Sequence, residues 1–400
     1  MRFEFCKSAA ALAHISAHAI SLAAVLVTTA TTLRAQAAIS TPPIATDTGP
    51  ITPIRPPANP LPSASSTASL TKFSFISYGD TRGRHDGVDV QSEHTLVIEA
   101  MLATIKKAAT TNDPIRFVLQ SGDAVQRGEI AKQLSVSYIP LINRLTQEGG
   151  VPYFLSVGNH DVGSSFDLAD PRRAAGLQNY FAANVLLIPS SGAPHRLAGY
   201  PTYGFGYANT FFIAFDSDIP EDTLQFNWVR KELEGLDRRR YPHVAMFFHH
   251  PPFSSGPHGG AQIEKQAASL RARWMPLFHA QHVRLLLTGH EHLFEHWVER
   301  YFDATGPHRI DEIVSGGGGA PLYGYTGAPD LRDYIASNAN LNLSMEHLAR
   351  PSSDPGANPF HFVIVHVDGD LISLEVIGVD WGRNFAPYRS NSVTLSNTTH

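Results

Sequence analysis

Five short segments, each directly after an apolar run, constrain this chain more than any other feature of its sequence. In chain order they are Gly79-Asp80, Gly122-Asp123, the GNHD run at 158–161, His249-His250-Pro251 and the GHEH run at 289–292. Each combines turn-forming residues with a carboxylate, amide or imidazole group that can bind a metal ion. Because right-handed crossovers bring the carboxyl ends of successive strands to one edge of a sheet, we expect these segments to lie together.

Apolar runs that resemble strands alternate with helical patterns through the first half of the chain. Residues 73–78, 116–120 and 152–157 are predicted strands, separated by predicted helices over 92–109 and 129–147. This βαβαβ order predicts an α/β fold in which helices cover the strands. Further strands are predicted over 203–207, 211–216, 244–248, 283–287, 295–301, 310–314, 360–367 and 371–376, helices over 222–236 and 263–277, and loops over 164–200 and 320–358.

The first 71 residues are predicted to lie outside the folded domain. Residues 1–37 combine a weakly basic start, a short apolar stretch and the small-residue pattern Ala35-Gln36-Ala37. This pattern predicts a signal peptide, and with it a secreted or periplasmic protein; a retained N-terminal anchor is the alternative. Residues 38–71 are rich in Pro, Ser and Thr and predict a disordered linker. The folded domain is predicted over 72–385, followed by a tail over 386–400.

Charge and cysteine content narrow the classes of function. The 31 basic and 36 acidic residues give a net charge of −5, so no nucleic-acid groove is indicated. No apolar run approaches the roughly 20 residues of a membrane-spanning helix. The single cysteine, Cys6, lies in the predicted signal peptide, so a metal ion in the mature protein would have nitrogen and oxygen ligands. The oligomeric state is not indicated.

The order and spacing of the five segments resemble the calcineurin-like metallophosphoesterase superfamily over about residues 72–316. Residues 225–228 and the hairpin before them are similar to the purple acid phosphatase branch. The resemblance implies the metallo-dependent phosphatase fold, a sandwich of two β-sheets flanked by helices. It also implies two metal ions at the strand ends, for which iron, manganese and zinc all suit the mixed ligands.

The resemblance assigns a role to each residue of the motifs. Metal one would be bound by Asp80, Asp123 and His292, and metal two by Asp123, Asn159, His249 and His290. His160 would contact the phosphate or protonate the leaving group, and Asp161 would orient it. We prefer His249 to His250 as the ligand because it directly follows the strand, two residues before Pro251. His258 and His85, on loops, are left open as contributors to the pocket.

Two positions depart from the family pattern on the metal-one side. Many relatives have a His ligand two residues after the first Asp, where this chain has Arg82, and a guanidinium cannot bind a metal ion. Purple acid phosphatases instead use a Tyr three residues after the bridging Asp, where this chain has Gln126. Gln126 either binds metal one through its carbonyl oxygen or positions a water, and Arg82 either contacts the substrate phosphate or pairs with an acidic neighbour. We expect a weakened metal-one site and no tyrosinate-to-iron colour.

The predicted function follows from these assignments. We expect an exported hydrolase that cleaves a small phosphomonoester by metal-activated hydroxide, with His160 as the acid. A phosphodiesterase acting on nucleotides or lipid head groups is the first alternative. The missing metal-one His motivates a second alternative, a catalytically weak protein that binds a phosphorylated ligand.

Overall fold

The computed structural model describes residues 47, 49–163, 168–260 and 262–379, together with the backbone of residues 386–395. Predictions made for residues 1–46, including the signal peptide, lie outside this described part. In chain order the strands are β1 (Lys72–Tyr78), β2 (Ile115–Gln120), β3 (Tyr153–Leu155), β4 (Tyr203–Tyr207), β5 (Thr210–Ala214), β6 (His243–Phe247), β7 (Leu285–Thr288), β8 (Phe294–Asp303), β9 (Gly306–Ser315), β10 (Ser344–Ala349), β11 (Phe360–Asp368), β12 (Leu371–Val379) and β13 (Ala386–Leu395).

The helices lie mainly between the parallel strands. They are α1 (Ser92–Ala108), α2 (Ala131–Gln133), α3 (Ile139–Gln147), α4 (Asn159–Val162), α5 (Pro171–Asn184), α6 (Thr223–Glu234), α7 (Lys265–Ser269), α8 (Met275–Ala280) and α9 (Arg332–Ser337). Wider π-helical turns over Leu134–Tyr138 and Leu270–Trp274 join α2 to α3 and α7 to α8. None of the helices in the described ranges has both the length and the apolar character needed to cross a membrane.

The strands form two mixed sheets with parallel strands in each. The first has the order β13-β12-β11-β1-β2-β3, in which β1, β2 and β3 are parallel. The second has the order β10-β8-β9-β7-β6-β5-β4, in which β5, β6, β7 and β9 are parallel. The five motif segments follow β1, β2, β3, β6 and β7, so each lies at the carboxyl end of a parallel strand.

Alternating side chains along the strands divide the core into layers. Phe73 and Phe75 of β1 pack with Phe117 of β2 and Phe212 of β5 in the apolar layer between the two sheets. The opposite face of β1, with Ile76, packs in a second cluster with α1 and α3. A third cluster joins the outer face of the second sheet to α6 and α8. The molecule is therefore a two-sheet sandwich flanked by helices, which confirms the predicted fold class.

The structure corrects two segments that the sequence predicted as loops. Residues 164–200 contain α5, which begins at Pro171 after Asp170 accepts a hydrogen bond from the Arg172 backbone. Its buried face includes polar residues such as Asn179 and Asn184, which weaken the apolar period that reveals a helix. Residues 320–358 contain α9 and the edge strand β10. Strand β13 extends the first sheet beyond the predicted domain end at residue 385.

Part of the predicted linker also differs from its prediction. Residues 49–71 lack regular strands or helices, yet Ile54 is fully buried in the core and its N–H donates to Ala183 O at 2.9 Å. Thr67 is buried as well, and its hydroxyl accepts from Ala208 N at 3.2 Å. The segment is thus held against the domain at a few anchor points, which a Pro- and Ser-rich composition does not reveal.

Candidate metal centre

Backbone hydrogen bonds hold the first two motif loops directly against each other. Asp80 N donates to Gly122 O and Thr81 N donates to Asp123 O, each at 3.0 Å. Asp80 and Asp123 have positive φ angles of 61° and 54°, which cost energy for residues other than glycine. Gly122 has φ 101°, and a Cβ there would lie 2.7 Å from Gly158 N. The side chains of these loops are therefore placed by a strained, closely packed backbone.

Four predicted ligands of metal two bring their donor atoms to one point. His249 Nε2 lies 2.9 Å from Asn159 Oδ1 and 3.3 Å from Asp123 Oδ1. His290 Nδ1 lies 3.1 Å from both Asn159 Oδ1 and His249 Nε2. We call Asp123, Asn159, His249 and His290 the metal-two group. Its members supply one carboxylate, one amide and two imidazoles, a donor set that suits a transition-metal ion.

The three predicted ligands of metal one also meet. Ligand atoms of Asp80, Asp123 and His292 all lie within 4.8 Å of one another, and we call these residues the metal-one group. Asp80 Oδ2 accepts from His290 N at 2.8 Å, whereas the buried Asp80 Oδ1 has no hydrogen-bond partner within the described part of the chain. Burial and the neighbouring Asp123 carboxylate raise the pKa of Asp80 well above its usual range. Two buried carboxylates so close together favour a cation between them.

Backbone carbonyls fix the orientation of two imidazoles. His249 Nδ1 donates to Ser121 O at 2.9 Å, and His292 Nδ1 donates to Pro321 O at 2.7 Å. Both rings therefore present an unprotonated Nε2 toward the centre. Burial lowers the pKa of His249 to about 4 and that of His292 well below its ordinary value, which keeps both rings neutral. Neutral imidazoles with a fixed tautomer are the form in which histidine binds metal ions.

Arg82 lies on the metal-one side of the centre. Its Nε is 3.5 Å from Asp123 Oδ2, and its Nη2 is 3.4 Å from His292 Nε2. Burial would raise the pKa of Asp123, but electrostatic interaction with the neighbouring His249, His160 and Arg82 side chains lowers it below its usual range. The guanidinium group thus contacts two members of the metal-one group.

Gln126 is engaged by Arg82. Its side-chain oxygen, Oε1, accepts a hydrogen bond from Arg82 Nη1 at 2.7 Å, and its backbone N–H donates to Asp86 Oδ2 at 2.8 Å. To bind metal one through that oxygen, Gln126 would have to share or release Arg82. Its role as a metal ligand stays a prediction, whereas its role as the partner of Arg82 is observed directly.

His160 lies beside Asp123, as expected of a residue that contacts the substrate, but Asp161 does not orient the His160 ring. His160 Nδ1 donates to the Gln126 backbone oxygen at 2.8 Å, and its Nε2, with the side chain 25% exposed, lies 3.9 Å from Asp123 Oδ2. The Asp161 carboxylate instead accepts from Gly158 N and Ala124 N, each at 2.9 Å. The predicted role of Asp161 is wrong: its carboxylate joins the Asp123 and Asn159 loops. Burial and the Asp123 charge raise the pKa of Asp161 to about 8.

The sequence analysis missed Glu264, which contacts His290 from the far side. Glu264 Oε2 lies 2.9 Å from His290 Nε2, and Oε1 lies 2.7 Å from His258 Nδ1. Burial would raise the pKa of Glu264, but hydrogen bonds from His258 and His290 lower it below its usual range. A carboxylate on the second nitrogen of a ligand imidazole orients the ring and strengthens its basicity. Glu264 directly precedes α7 and, unlike the five motifs, does not follow a strand. The local sequence therefore does not predict its role.

A cavity of about 400 Å³ opens over both ligand groups. It is lined by Arg82, Asp123, Asn159, His160, His250, His258, Glu264, Lys265, Gln266, His290, His292 and Tyr323. His258 therefore reaches the pocket, whereas the exposed His85 is not among the lining residues. His250 also lines it: its Nδ1 lies 3.0 Å from Ser217 Oγ, and a ligand nitrogen of its ring lies within 4.8 Å of ligand atoms of Glu264 and His290.

The model of the calcineurin-like phosphoesterase family matches residues 95–294, half of the chain. This range includes Asp123, which is common to both ligand groups, and the side chains of Asn159, His249, His290 and His292 that meet at the strand ends. The chain belongs to the calcineurin-like phosphoesterase family. Membership implies a dinuclear metal centre. The orphaned Asp80 Oδ1 and the two unprotonated imidazole nitrogens show that the residues present fit such a centre.

Curated relatives and solved structures refine the comparison within the phosphoesterase family. The chain is 28% identical over 120 residues to probable purple acid phosphatase 20 of Arabidopsis thaliana, covering 29% of this chain and 27% of that protein. It is 25% identical over 170 residues to purple acid phosphatase 21 of the same plant, covering 42% and 36% of the two chains. It thus spans about a quarter to a third of these relatives' length.

Two solved structures share the phosphoesterase fold at low sequence identity. Purple acid phosphatase PPD1 from yellow lupin seeds superposes with a TM-score of 0.56 at 18% identity, covering 84% of this chain and 55% of that one. PhoD superposes with a TM-score of 0.53 at 12% identity, covering 85% and 74%. These likenesses support the two-sheet architecture described above.

Proposed function

We propose that this phosphoesterase is an exported hydrolase of small phosphomonoesters that works with two metal ions. The observation that carries the proposal is the shared position of Asp123. Its Oδ1 faces His249 Nε2 at 3.3 Å, while a carboxylate oxygen of the same residue lies in one cluster with Asp80 and His292. A carboxylate between two donor groups is the arrangement that holds a pair of cations together.

The metal-one and metal-two groups would hold these ions, with Asp123 common to both. When bound, such ions neutralise charge on the phosphoryl oxygens and lower the pKa of a water molecule toward neutrality. Among the protein's own groups, Glu264 orients His290, and the Ser121 and Pro321 carbonyls orient His249 and His292. The centre is thereby prepared for its ions by hydrogen bonds that do not depend on substrate.

His160 supplies the proton for the leaving group in this proposal. Its Nδ1–H donates to the backbone carbonyl oxygen of Gln126, so Nε2 is the nitrogen that faces the open cavity. A histidine imidazole is the group that most often delivers a proton to a departing alkoxide. Arg82 lines the same cavity, and its guanidinium contributes a fixed positive charge for the substrate phosphate.

The comparisons with purple acid phosphatases favour a phosphomonoester substrate. A phosphodiester substrate is the alternative, and the assay described below distinguishes the two. Arg82 on the metal-one side also favours a second candidate, a protein that binds one metal ion and a phosphorylated ligand with little turnover. Iron, manganese and zinc each suit the ligands. Because Gln126 stands where a tyrosinate would colour an iron site, we expect no purple absorption.

One assay tests these readings together. Purified protein would be loaded with iron, manganese or zinc, its metal content measured, and its turnover followed with nitrophenyl phosphate and bis-nitrophenyl phosphate. Two metal ions with monoester turnover support the proposal, whereas diester turnover alone would replace the substrate. One metal ion without turnover would support the binding protein instead.

Export is tested separately from catalysis. The gene would be expressed in a bacterial host, and the N-terminal sequence of protein from the periplasm or medium would be determined. Cleavage near residue 37 supports the proposed signal peptide. Full-length protein retained in the membrane fraction would support the N-terminal anchor.

A further inference from the structure

A second group of metal-binding side chains lies at the opposite end of the second sheet. His282 directly precedes the entry to β7, Asp303 ends β8, and His308 lies near the start of β9. Strand β8 begins two residues after His292 and runs over ten residues to Asp303. At about 3.3 Å per residue the strand separates this group from the metal centre by roughly 30 Å.

The three side chains direct their ligand atoms at one another. His282 Nε2 lies 2.8 Å from Asp303 Oδ2, and His308 Nε2 lies 2.9 Å from Asp303 Oδ1. Their ligand atoms are all within 4.8 Å of one another. The two imidazole rings stack at 3.9 Å with an angle of 11°, and Thr305 Oγ1 lies 2.8 Å from His308 Nε2. We call His282, Asp303 and His308 the hairpin triad.

The backbone of His282 gives a second, independent observation. His282 N donates to His279 O at 3.1 Å and Val283 N donates to Phe278 O at 2.9 Å, the bonding pattern that ends a helix with a left-handed residue. His282 has φ 46° at this position, where glycine carries no steric cost. Asp80, Asp123 and His290 of the metal centre share this strained conformation. A histidine here costs more than a glycine would, and residues at functional sites often carry such a cost.

We propose that the hairpin triad is a separate binding site for a divalent transition-metal ion of the zinc type. Two imidazoles and one carboxylate suit zinc and its neighbours, whereas calcium and magnesium prefer oxygen ligands throughout. Three protein ligands leave a fourth position for water or a small anion. The triad has intermediate exposure, with side chains 35%, 25% and 19% exposed, so an ion can reach it from solvent.

The surrounding charges set the strength expected of this site. A cavity of about 380 Å³ beside the triad is also lined by Arg238, Arg284 and Arg309. Arg284 and Arg309 both pair with Asp311, and Arg238 donates to the backbone oxygens of Gln281, Pro242 and His282. The remaining positive charge weakens binding of a cation. We therefore expect the hairpin triad to bind zinc weakly and reversibly, so that a chelator would remove the ion during purification.

The competing explanation is that His282 and His308 only stabilise the β8–β9 hairpin through their hydrogen bonds with Asp303. Two substitutions of His308 separate the two explanations. Gln at position 308 can still donate a hydrogen bond to Asp303, but it is a poor zinc ligand. Cys at the same position is a good zinc ligand but a weak hydrogen-bond donor.

The experiment is zinc titration of the full chain by calorimetry, with metal content measured after gel filtration. We expect the wild type to bind one more equivalent of zinc than His308→Gln, with His308→Cys restoring that equivalent. His195→Ala serves as the matched control, because His195 pairs with one carboxylate, that of Glu232, at 2.6 Å and lies on the surface. Nitrophenyl phosphate turnover should be the same in all four proteins.

Equal zinc stoichiometry in the wild type and His308→Gln would overturn the proposal. So would loss of the extra equivalent in the His195→Ala control. If His308→Gln fails to fold by circular dichroism, Asp303→Asn, which keeps one acceptor oxygen for the histidines, takes its place with the same expected loss of one equivalent. Because turnover is recorded in parallel, failure of this site is distinguishable from failure of the phosphoesterase function.

Discussion

The two halves of the metal centre are built differently. In the metal-two half, Asn159, His249 and His290 supply an amide oxygen and two imidazole nitrogens with separations of 2.9 to 3.1 Å, and no guanidinium contacts them among the described residues. In the metal-one half, Asp80 and His292 share their space with Arg82, whose Nη2 lies 3.4 Å from His292 Nε2. The metal-two half can therefore accept a metal cation without competition, whereas the metal-one half already contains the positive charge of the Arg82 guanidinium. We therefore expect the two halves to differ in metal affinity and in their contribution to turnover.

The largest effect should come from the residue that both halves share. Asp123→Asn removes the negative charge between the two groups, and we expect kcat/KM for nitrophenyl phosphate to fall by about 10³-fold, since several kcal/mol of charge stabilisation is lost. Both ions should be lost on gel filtration. Asp89→Asn, at an exposed carboxylate of the loop before α1, is the control and should be unchanged. Retention of two ions in Asp123→Asn would contradict the shared role.

Removing one histidine from each half tests their inequality. We expect His249→Ala to lower kcat/KM by about 10²-fold or more and His292→Ala by about tenfold, because the metal-one half is already weakened by Arg82. His195→Ala is the control, since His195 lies on the surface beside Glu232 and should leave metal content and turnover unchanged. Metal content and turnover measured side by side decide the matter. A larger loss in His292→Ala than in His249→Ala would reverse the comparison.

Arg82 is the residue that makes the halves unequal, so its removal should make them more alike. Unit charges about 4 Å apart interact by about 4 kcal/mol at an effective dielectric constant of 20, and solvent screening reduces this near an open cavity. We expect Arg82→Ala to bind its weaker manganese or zinc ion about tenfold more tightly by calorimetry. Arg84→Ala, two residues along and exposed, should leave both affinities unchanged.

The same variant also tests the phosphate contact. If Arg82 holds the substrate phosphate, KM for nitrophenyl phosphate should rise by about tenfold in Arg82→Ala while kcat changes less. Unchanged kinetics together with unchanged metal affinity would leave Arg82 with a structural role through Gln126 alone.

The smallest effect should come from Asp161, which supports the metal-two half at a distance. Asp161→Asn leaves a backbone N–H partner of this side chain facing an amide NH2 group that cannot accept a hydrogen bond, at a cost of about 1–3 kcal/mol in unfolding free energy. We expect a lower urea midpoint for the metal-free protein and only a few-fold change in turnover. Asp354→Asn, whose carboxylate accepts from Gly356 N on the surface, is the control. Equal destabilisation by both substitutions would argue against the loop-joining role.

The sequence predicted the frame of the centre well because the frame is local. Each motif directly follows a strand, as Asp123 follows β2, so the strand pattern alone locates every motif in the chain. The apolar periods of β1, β2, β6 and β7 are strong for the same reason, since these strands are buried on both faces. The edge strand β10 alternates between exposed and half-buried residues, and its weak pattern was missed.

What the sequence determined by itself was the list of donor groups and the strand after which each one lies. Only the tertiary structure decided the contacts that cross between elements: Glu264 behind His290, Asp161 between two loops, Arg82 between Asp123 and Gln126, and the hairpin triad on the opposite sheet edge. The physical reason is that local periodicity reports which face of an element is buried, whereas these contacts depend on how separate elements pack. Residues far apart in the chain carry no shared period that would reveal such a contact.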